Sequence, residues 1–206
     1  SGYPAHLAAS ALGLTGTAYS LDAACASSLY AIKLACDQLH DGRAKTMIAG
    51  AVNRADDLFI KVGFCALSAM SRKGISRPFD KNADGLLPAE GAAFIVLKRL
   101  SDALDDGHDI LGVIRGVGLS NDGRSGGFLA PSKDGQIRAM KAAYEVSGIS
   151  PDSISLLECH ATGTPVGDRV ELESSAEIFK GQKELPIGSL KSNMGHLITV
   201  AGLAGI

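Results

Sequence analysis

The feature that most constrains the fold is a series of short apolar runs that alternate with segments of helical periodicity. Residues 46–52 (TMIAGAV) and 92–97 (AAFIVL) are runs of small and apolar residues of strand length, which is typical of strands buried on both faces. Leu29, Ile32 and Cys36 instead recur at the spacing of one helix face. This alternation predicts an α/β protein with a largely buried sheet.

The remaining elements are predicted from periodicity, capping residues, and glycine or proline punctuation. Strands are expected at residues 18–21, 46–52, 92–97, 110–119, 155–159 and 186–190. Helices are expected at residues 27–41, 58–67, 101–107, 135–147 and 166–179, with a further one from Gly195 onward. Ser101 is expected to cap the third of these helices.

The composition argues against several classes of protein. The chain has 206 residues, of which 46% are hydrophobic, so a substantial core can form. The net charge is −2 and the sequence contains no stripe of basic residues, which argues against nucleic-acid binding. No apolar run reaches the roughly 18 residues that a membrane helix needs, and the opening residues lack the pattern of a signal peptide. We therefore expect no membrane span.

The cysteines do not follow a metal-binding pattern. Their positions show no CxxC spacing, which argues against a zinc site or a disulfide framework. The same pattern fits a reducing cytoplasm. We therefore expect a cytoplasmic protein with no bound metal. The four cysteines are Cys25, Cys36, Cys65 and Cys159.

Cys25 lies between the predicted strand at residues 18–21 and the helix that begins at Ser27. Unpaired N–H groups and the positive end of a helix stabilise a thiolate, which predicts a lowered pKa for Cys25. Its small neighbours would let a substrate carbonyl approach, so that the Cys25 N–H could donate to an oxyanion. A cysteine among alanines is more often a small buried hydrophobic residue, and the other three cysteines are interpreted in that way.

Two histidines follow predicted strands and enter glycine-bearing turns. His160 opens residues 160–168 (HATGTPVGD), and His196 ends residues 191–196 (KSNMGH). Ligands bind at the carboxyl ends of strands in open α/β sheets, so the matching contexts favour one shared site. Neutral imidazoles there could donate Nε2–H bonds to an enolate or oxyanion. Cys159 precedes His160 on a strand and is expected to face the opposite way.

Three side chains beside these histidines have two interpretations each. Thr162 and Thr164 could hold amide groups of a long, thin substrate arm, or they could cap the helix that begins near Val166. Lys191 could orient a carboxylate or organise the loop of His196, or it could be a solvated surface ammonium. The residues alone leave these alternatives open.

Three separated motifs resemble those of type I β-ketoacyl synthases, or ketosynthases. Residues 22–29 (DAACASSL) resemble the nucleophile motif DTACSSSL, and residues 158–168 (ECHATGTPVGD) resemble EAHGTGTxxGD. Residues 191–196 (KSNMGH) resemble K-[ST]-N-x-G-H. The motifs occur in the order and at the separations of the family. Residues 77–80 and 114–116 between them are also similar to the family, so the resemblance spans essentially the whole chain.

The resemblance implies a thiolase-like, layered α/β/α/β/α fold and a decarboxylative Claisen condensation in polyketide or fatty-acid biosynthesis. By the pattern of the family, Cys25 takes an acyl group from a phosphopantetheine thioester. His160 and His196 promote decarboxylation of the malonyl group and stabilise the enolate, which attacks the acyl-cysteine. The residues within the motifs are similar to those of ketosynthases from iterative polyketide or polyunsaturated-fatty-acid-like synthases.

The resemblance also implies supporting residues and partners. Lys191 would support the site, and Thr162 and Thr164 would contact the pantetheine arm. The substrates would be acyl and malonyl thioesters carried on the phosphopantetheine of an acyl carrier protein, with no cofactor bound directly. A homodimer is expected from the family.

The sequence departs from the family pattern at small residues. Ala23 and Ala26 replace Thr and Ser beside the nucleophile. Cys159 and Ala161 replace Ala and Gly around the first histidine. These changes should alter the lining of the pocket more than the chemistry.

The sequence also lacks parts of the family's domain. The opening strands and helices are missing, as is a late Gly-Phe-Gly loop that supplies an oxyanion donor in the family. We therefore expect an incomplete fold that holds only the central part of the domain. Residues 1–110 would end the N-terminal half, and residues 111–206 would begin the C-terminal half.

Three other functions remain as alternatives. A degradative thiolase would need a second catalytic cysteine in a late loop and does not usually pair two histidines in this way. An enzyme like chalcone synthase would place Asn at the position of His196. A non-catalytic partner subunit, acting in dimerisation or chain-length control, would typically lose the nucleophile, whereas Cys25 is present.

Overall fold

The structure, a computed structural model, describes residues 2–55, 58–124 and 130–206. Its strands are β1 (Thr46–Asn53), β2 (Gly91–Lys98), β3 (Leu157–Glu158) and β4 (Ile187–Gly188). Its α-helices are α1 (Tyr3–Ala11), α2 (Ser27–His40), α3 (Leu58–Ala66), α4 (Leu100–Asp105), α5 (Lys133–Ser147), α6 (Pro165–Ile178), α7 (Lys191–Met194) and α8 (Ala201–Ala204). Short 3₁₀ helices lie at Ala24–Ala26, Pro151–Ser153 and Ile198–Val200.

The first layered unit consists of β1 and β2 with helices on one face. The two strands are antiparallel, with Thr46 opposite Lys98 at one end of the pair. Ile32 of α2, Ala49 of β1 and Leu203 of α8 form a buried apolar cluster on that face. This packing holds the beginning of α2 close to the segment that leads into α8. Residues of the site described below lie at the beginning of α2 and in that segment.

Only one face of the β1–β2 pair is covered by the described residues. Met47, Ala49 and Ile95 contribute to the cluster, whereas Phe94 and Val96 on the other face are 55% and 71% exposed. The prediction that residues 92–97 are fully buried is therefore wrong for this structure. Alternate side chains of a strand point to opposite faces, so a continuous apolar run shows only that neither face is polar.

The second unit pairs β3 with β4 in parallel, Leu157 opposite Ile187. Helices α5 and α6 pack together, and the rings of Tyr144 and Phe179 meet edge to face with centroids 6.0 Å apart. The Ser132 hydroxyl caps α5 by accepting the Gly135 N–H at 3.1 Å. This unit presents the loop that follows β3.

Most of the predicted helices are confirmed. The predictions at residues 27–41, 58–67, 135–147 and 166–179 correspond to α2, α3, α5 and α6. Ser101, however, lies inside α4, and Arg99 is the residue that precedes the helix. Gly195, with φ +79°, is the C-cap residue that ends α7, so the last helical segment begins only at Ile198.

The strand predictions are less accurate. Residues 18–21 and 110–119 form no strand in the described part of the chain, and β3 and β4 are shorter than predicted. An extended segment becomes a strand only when a neighbour completes its ladder of hydrogen bonds, and the described residues supply no such neighbour here.

In the described ranges, none of the helices is both long enough and apolar enough to cross a membrane.

Candidate active site

Cys25 lies in a tight 3₁₀ turn immediately before α2. The preceding Ala24 has φ +50°, a backbone conformation that is uncommon outside glycine. The Asp22 carboxylate accepts the Ala24 N–H at 2.8 Å. The Ser27 hydroxyl accepts the Ala23 N–H at 2.9 Å and donates to the Ala24 carbonyl at 2.7 Å. These bonds fix the turn, so Cys25 is held at the start of the helix.

His196 is buried, with 1% of its surface exposed. Its N–H donates to the Leu87 carbonyl at 2.7 Å, and its carbonyl accepts the Ala89 N–H at 2.9 Å. The Ile198 N–H donates to Nδ1 of the ring at 3.3 Å. Because Nδ1 accepts, the proton of the neutral ring lies on Nε2. That nitrogen is 3.1 Å from Sγ of Cys25.

His160 follows β3, and a half-buried carboxylate holds its backbone. The two oxygens of Glu171 accept the His160 N–H at 2.6 Å and the Ala161 N–H at 2.7 Å. Burial raises the pKa of the Glu171 carboxyl, and the two backbone N–H groups oppose that rise. Glu171 thus fixes the direction in which the chain leaves β3.

A second carboxylate, that of Asp168, holds the turn that follows His160. Its Oδ1 accepts the N–H groups of Thr162 and Gly163 at 3.1 and 3.2 Å. Its Oδ2 accepts the Phe79 N–H at 2.8 Å, so the same side chain ties in the loop from residues 76–79. Asp168 is buried, and all three bonds replace water that it would otherwise bind.

The fold brings the three predicted catalytic residues together. Sγ of Cys25 and one ring nitrogen each of His160 and His196 lie within 4.8 Å of one another. The two imidazole rings meet edge to face, with centroids 5.2 Å apart and an interplanar angle of 84°. Cys25 thus shares one small volume with two histidines that lie far beyond it in the sequence.

Both imidazoles are neutral at pH 7. Desolvation, and then the charge of Lys191, lower the pKa of His160 to about 4, although part of this side chain is exposed. Desolvation, followed by the neighbouring His160 and Lys191, lowers the pKa of His196 to about 3. Neutral rings can donate an N–H without carrying a charge, which suits stabilisation of a developing anion.

The expectation of a lowered pKa for Cys25 is wrong. Burial raises the pKa of this thiol, while the Lys191 charge and the N–H of Cys25 itself lower it by less. Desolvation therefore outweighs the charge of Lys191 and the Cys25 N–H, and the thiol is the resting form at neutral pH.

Lys191 is buried rather than solvated at the surface. Its ammonium donates to the Cys159 carbonyl at 3.5 Å. Desolvation lowers its pKa, and the nearby carboxylates of Glu158 and Glu171 oppose that shift. Because its charge acts on Cys25, His160 and His196 alike, Lys191 is part of the electrostatics of the site.

The threonine hydroxyls bind each other. Oγ1 of Thr162 and Oγ1 of Thr164 are 3.0 Å apart. Thr164 is the N-cap residue of α6, but its side chain makes no capping bond. The capping interpretation of these hydroxyls is therefore not supported.

The other cysteines lie away from this cluster. Cys159 faces an apolar cavity of ≈ 190 Å³ between β3, β4 and α6, as expected from its alternation with His160. Burial raises its pKa to about 12. Cys36 packs against the apolar cluster of α2, and Cys65 is exposed on α3.

Neither Glu171 nor Asp168 was predicted from the sequence to hold the turn after His160. A signal was present, because the two carboxylates are three residues apart and so share one face of α6. The sequence did not show, however, that the turn after His160 would lie against that face of α6.

Comparisons with known proteins identify matching families over nearly the whole chain. The family model for the N-terminal domain of β-ketoacyl synthases matches residues 1–103, and the one for the C-terminal domain matches residues 111–206.

Curated relatives include large synthases. A mycocerosic acid synthase-like polyketide synthase of Mycolicibacterium smegmatis is 41% identical over 196 residues, which cover 95% of this chain and 9% of the relative. A polyunsaturated fatty acid synthase polypeptide of Thraustochytrium sp. is 41% identical over 206 residues, covering 98% of this chain and 10% of the relative. The chain thus spans about a tenth of the length of these relatives.

Solved structures show the same fold. A structure described as PfaC keto synthase-chain length factor has a TM-score of 0.95 and 49% identity, covering 99% of this chain and 22% of that one. The ketosynthase from module 6 of the bacillaene synthase of Bacillus subtilis 168 has a TM-score of 0.94 and 38% identity, covering 98% of this chain and 37% of that one. The expected thiolase-like α/β fold is confirmed.

Proposed function

Because the chain belongs to the β-ketoacyl synthase family, we propose that it carries the catalytic residues of a decarboxylative Claisen condensation. The observation that supports this most is the approach of one thiol and two neutral imidazoles to within 4.8 Å. The substrates we propose are acyl and malonyl thioesters on the phosphopantetheine of an acyl carrier protein, in polyketide or fatty-acid biosynthesis.

The first step is transfer of the acyl group to Cys25. Sγ attacks the carbonyl carbon of the incoming thioester and loses its proton, while the pantetheine sulfur leaves and takes a proton. The raised pKa of the thiol makes its deprotonation costly, and the positive charge of Lys191 offsets part of that cost. The Cys25 N–H at the start of α2 can stabilise the oxyanion that forms on the carbonyl.

The second step is decarboxylation of the malonyl thioester. Its C–C bond to the carboxylate breaks, CO₂ leaves, and the electron pair forms an enolate. Nε2–H of His196 and an N–H of His160 can donate to the enolate oxygen, since both rings are neutral at pH 7. The enolate carbon then attacks the acyl-cysteine, and the thiolate of Cys25 leaves and is protonated again.

The remaining roles follow from the same site. We propose that Lys191 tunes the charge of the cluster, and that Thr162 and Thr164 contact the amides of the pantetheine arm. Their paired hydroxyls lie in the turn that follows His160, which supports this placement. The free thiols of the chain support a cytoplasmic location, and we propose a homodimer by analogy with the family.

We also propose that the chain forms the central part of a longer ketosynthase domain. The N-terminal and C-terminal family models match residues 1–103 and 111–206, which supports a division near residue 110. This chain covers only 37% of the solved bacillaene ketosynthase, which supports the same proposal.

Labelling of the nucleophile tests the proposed function. A ketosynthase domain that contains this chain, treated with cerulenin, should be modified at Cys25 and should lose condensing activity. Peptide mass mapping identifies the modified residue. Cys25→Ala should abolish both labelling and condensation, whereas Cys65→Ala, which removes an exposed thiol, should retain both. Preferential labelling of Cys36, Cys65 or Cys159, with activity retained in Cys25→Ala, would contradict the proposal.

A further inference from the structure

We propose that Cys25, His160 and His196 also form an inhibitory binding site for Zn²⁺ and similar soft metal ions. The sequence predicted no metal site, because the cysteines lack paired spacing. The fold nevertheless assembles one thiol and two imidazoles from three distant segments, with their ligand atoms within 4.8 Å. Thiolate and imidazole are the ligands that zinc prefers in proteins.

The distances are close to those of a zinc site. A tetrahedral Zn²⁺ site with usual bond lengths separates a sulfur and a nitrogen ligand by about 3.5 Å, and two nitrogen ligands by about 3.3 Å. Sγ of Cys25 and Nε2 of His196 are already 3.1 Å apart. The largest separation in the cluster, 4.8 Å, must shorten by at least about 1.3 Å. His160 can supply this movement by side-chain rotation, because it is an exposed residue.

Binding requires a defined rearrangement of protons. Coordination removes the proton of the Cys25 thiol, which goes to solvent. The metal takes Nε2 of His196, so the ring proton moves to Nδ1. The hydrogen bond from Ile198 to Nδ1 is then lost, and at 3.3 Å it is a long one. Three protein ligands leave a fourth position that water can fill.

The consequence is competition between the metal and the acyl group. Once Sγ of Cys25 is coordinated, its lone pair is no longer free to attack a thioester. Inhibition of condensation therefore rests on the function proposed above, whereas metal binding itself does not.

A cadmium titration of the 206-residue chain, in a buffer whose reductant is not a thiol, tests the site directly. Cd²⁺ bound to a thiolate gives a charge-transfer absorption in the near ultraviolet. We expect one Cd²⁺ per chain, with the absorption lost in Cys25→Ala and unchanged in Cys65→Ala, which lacks an exposed thiol. An absorption that persists in Cys25→Ala would overturn the proposal, whatever the result for Cys65→Ala.

The two histidines are tested by affinity. In His160→Ala and His196→Ala, Cd²⁺ binding should weaken by roughly 100-fold or more, since even groups that only support metal ligands contribute about 10- to 100-fold. Affinities equal to that of the unmodified protein would exclude the imidazoles as ligands.

A second measurement avoids any variant that fails to fold. Zn²⁺ should slow alkylation of Cys25 by iodoacetamide in the unmodified protein, and a chelator should restore the rate. Equal alkylation with and without Zn²⁺ would overturn the proposal. None of these readouts uses an acyl substrate. Cd²⁺ binding by the chain, together with no condensation by a longer ketosynthase domain that contains it, would therefore contradict only the proposed function.

Discussion

At the residue scale, the two imidazoles are held in different ways. His196 is buried and fixed at both ring nitrogens, by the Ile198 N–H at Nδ1 and by Sγ of Cys25 at Nε2. His160 is positioned through its backbone, by Glu171, and its side chain is partly exposed. His196 therefore defines the geometry around the thiol, while the ring of His160 can adjust to a bound substrate.

This difference leads to a prediction for His160→Ala and His196→Ala in a ketosynthase domain that contains the chain. Malonyl decarboxylation should fall by about 10²–10³-fold in each variant, because each loses one donor to the enolate oxygen. Some self-acylation of Cys25 should remain, and more in His160→Ala, since His196 is the histidine that contacts Sγ at 3.1 Å. Release of CO₂ and the mass of the acyl-enzyme measure the two steps separately.

A matched control for these variants is His108→Ala, because His108 is exposed and has no role in the site. It should leave both steps unchanged. If decarboxylation stays normal in both His160→Ala and His196→Ala, the roles assigned to the imidazoles are wrong.

The side chains proposed as catalytic could be predicted from the sequence more readily than the groups that hold them. Cys25, His160 and His196 stand in recognisable motifs. Ile198, by contrast, has φ +51°, and its backbone N–H donates to Nδ1 of His196. That conformation is rare for a β-branched residue, so no local rule predicts it.

At the scale of elements, residues 110–119 show how a predicted strand can pack without pairing. Gly116 and Gly118 lie directly against the backbone of α5. A Cβ on Gly118 would be 2.1 Å from the Ala139 carbonyl oxygen and 2.4 Å from the Ala143 nitrogen. The glycines thus allow the segment and the helix to approach closely, which side chains would prevent.

Gly118→Val should therefore destabilise the protein by about 1–3 kcal/mol, or more if α5 cannot shift, because the added atoms overlap helix backbone. Urea unfolding of the variant measures this as a lower midpoint at unchanged slope. Gly112→Val is the matched control, since a Cβ at Gly112 would have no heavy atom within 4 Å. Equal midpoints for the two variants would show that the close contact does not contribute to stability.

Helices could be predicted better than strands because a helix satisfies its own hydrogen bonds, whereas a strand needs a neighbour. The periodicity of α2, α5 and α6 is contained in their own residues, and all three were predicted. The pairing of β1 with β2 joins segments that are far apart in the sequence. The sequence pattern marked both strands but contained no information about which segment would cover their second face.

At the scale of the whole molecule, that second face is an apolar surface without a cover among the described residues. Ile48 and Val52 of β1, with Phe94 and Val96 of β2, are 38% to 71% exposed on it. A contiguous apolar patch of this kind favours association in water. The solved ketosynthases, which are longer, share the fold of this chain closely, and we expect the additional part of such a domain to cover the patch.

The 206-residue chain by itself should accordingly self-associate and show little condensation, while a longer ketosynthase domain that contains it should be active. Sedimentation and a condensation assay on the two proteins test this.

Val96→Lys tests the cover of the patch in both proteins, because Val96 is 71% exposed in the chain alone. The substitution should reduce self-association of the chain, where the lysine can remain solvated. In the longer domain it should lower stability, because there it would bury an unpaired charge. Normal turnover by a monomeric form of the short chain would contradict the expectation, and so would a longer domain that tolerates Val96→Lys without loss of stability.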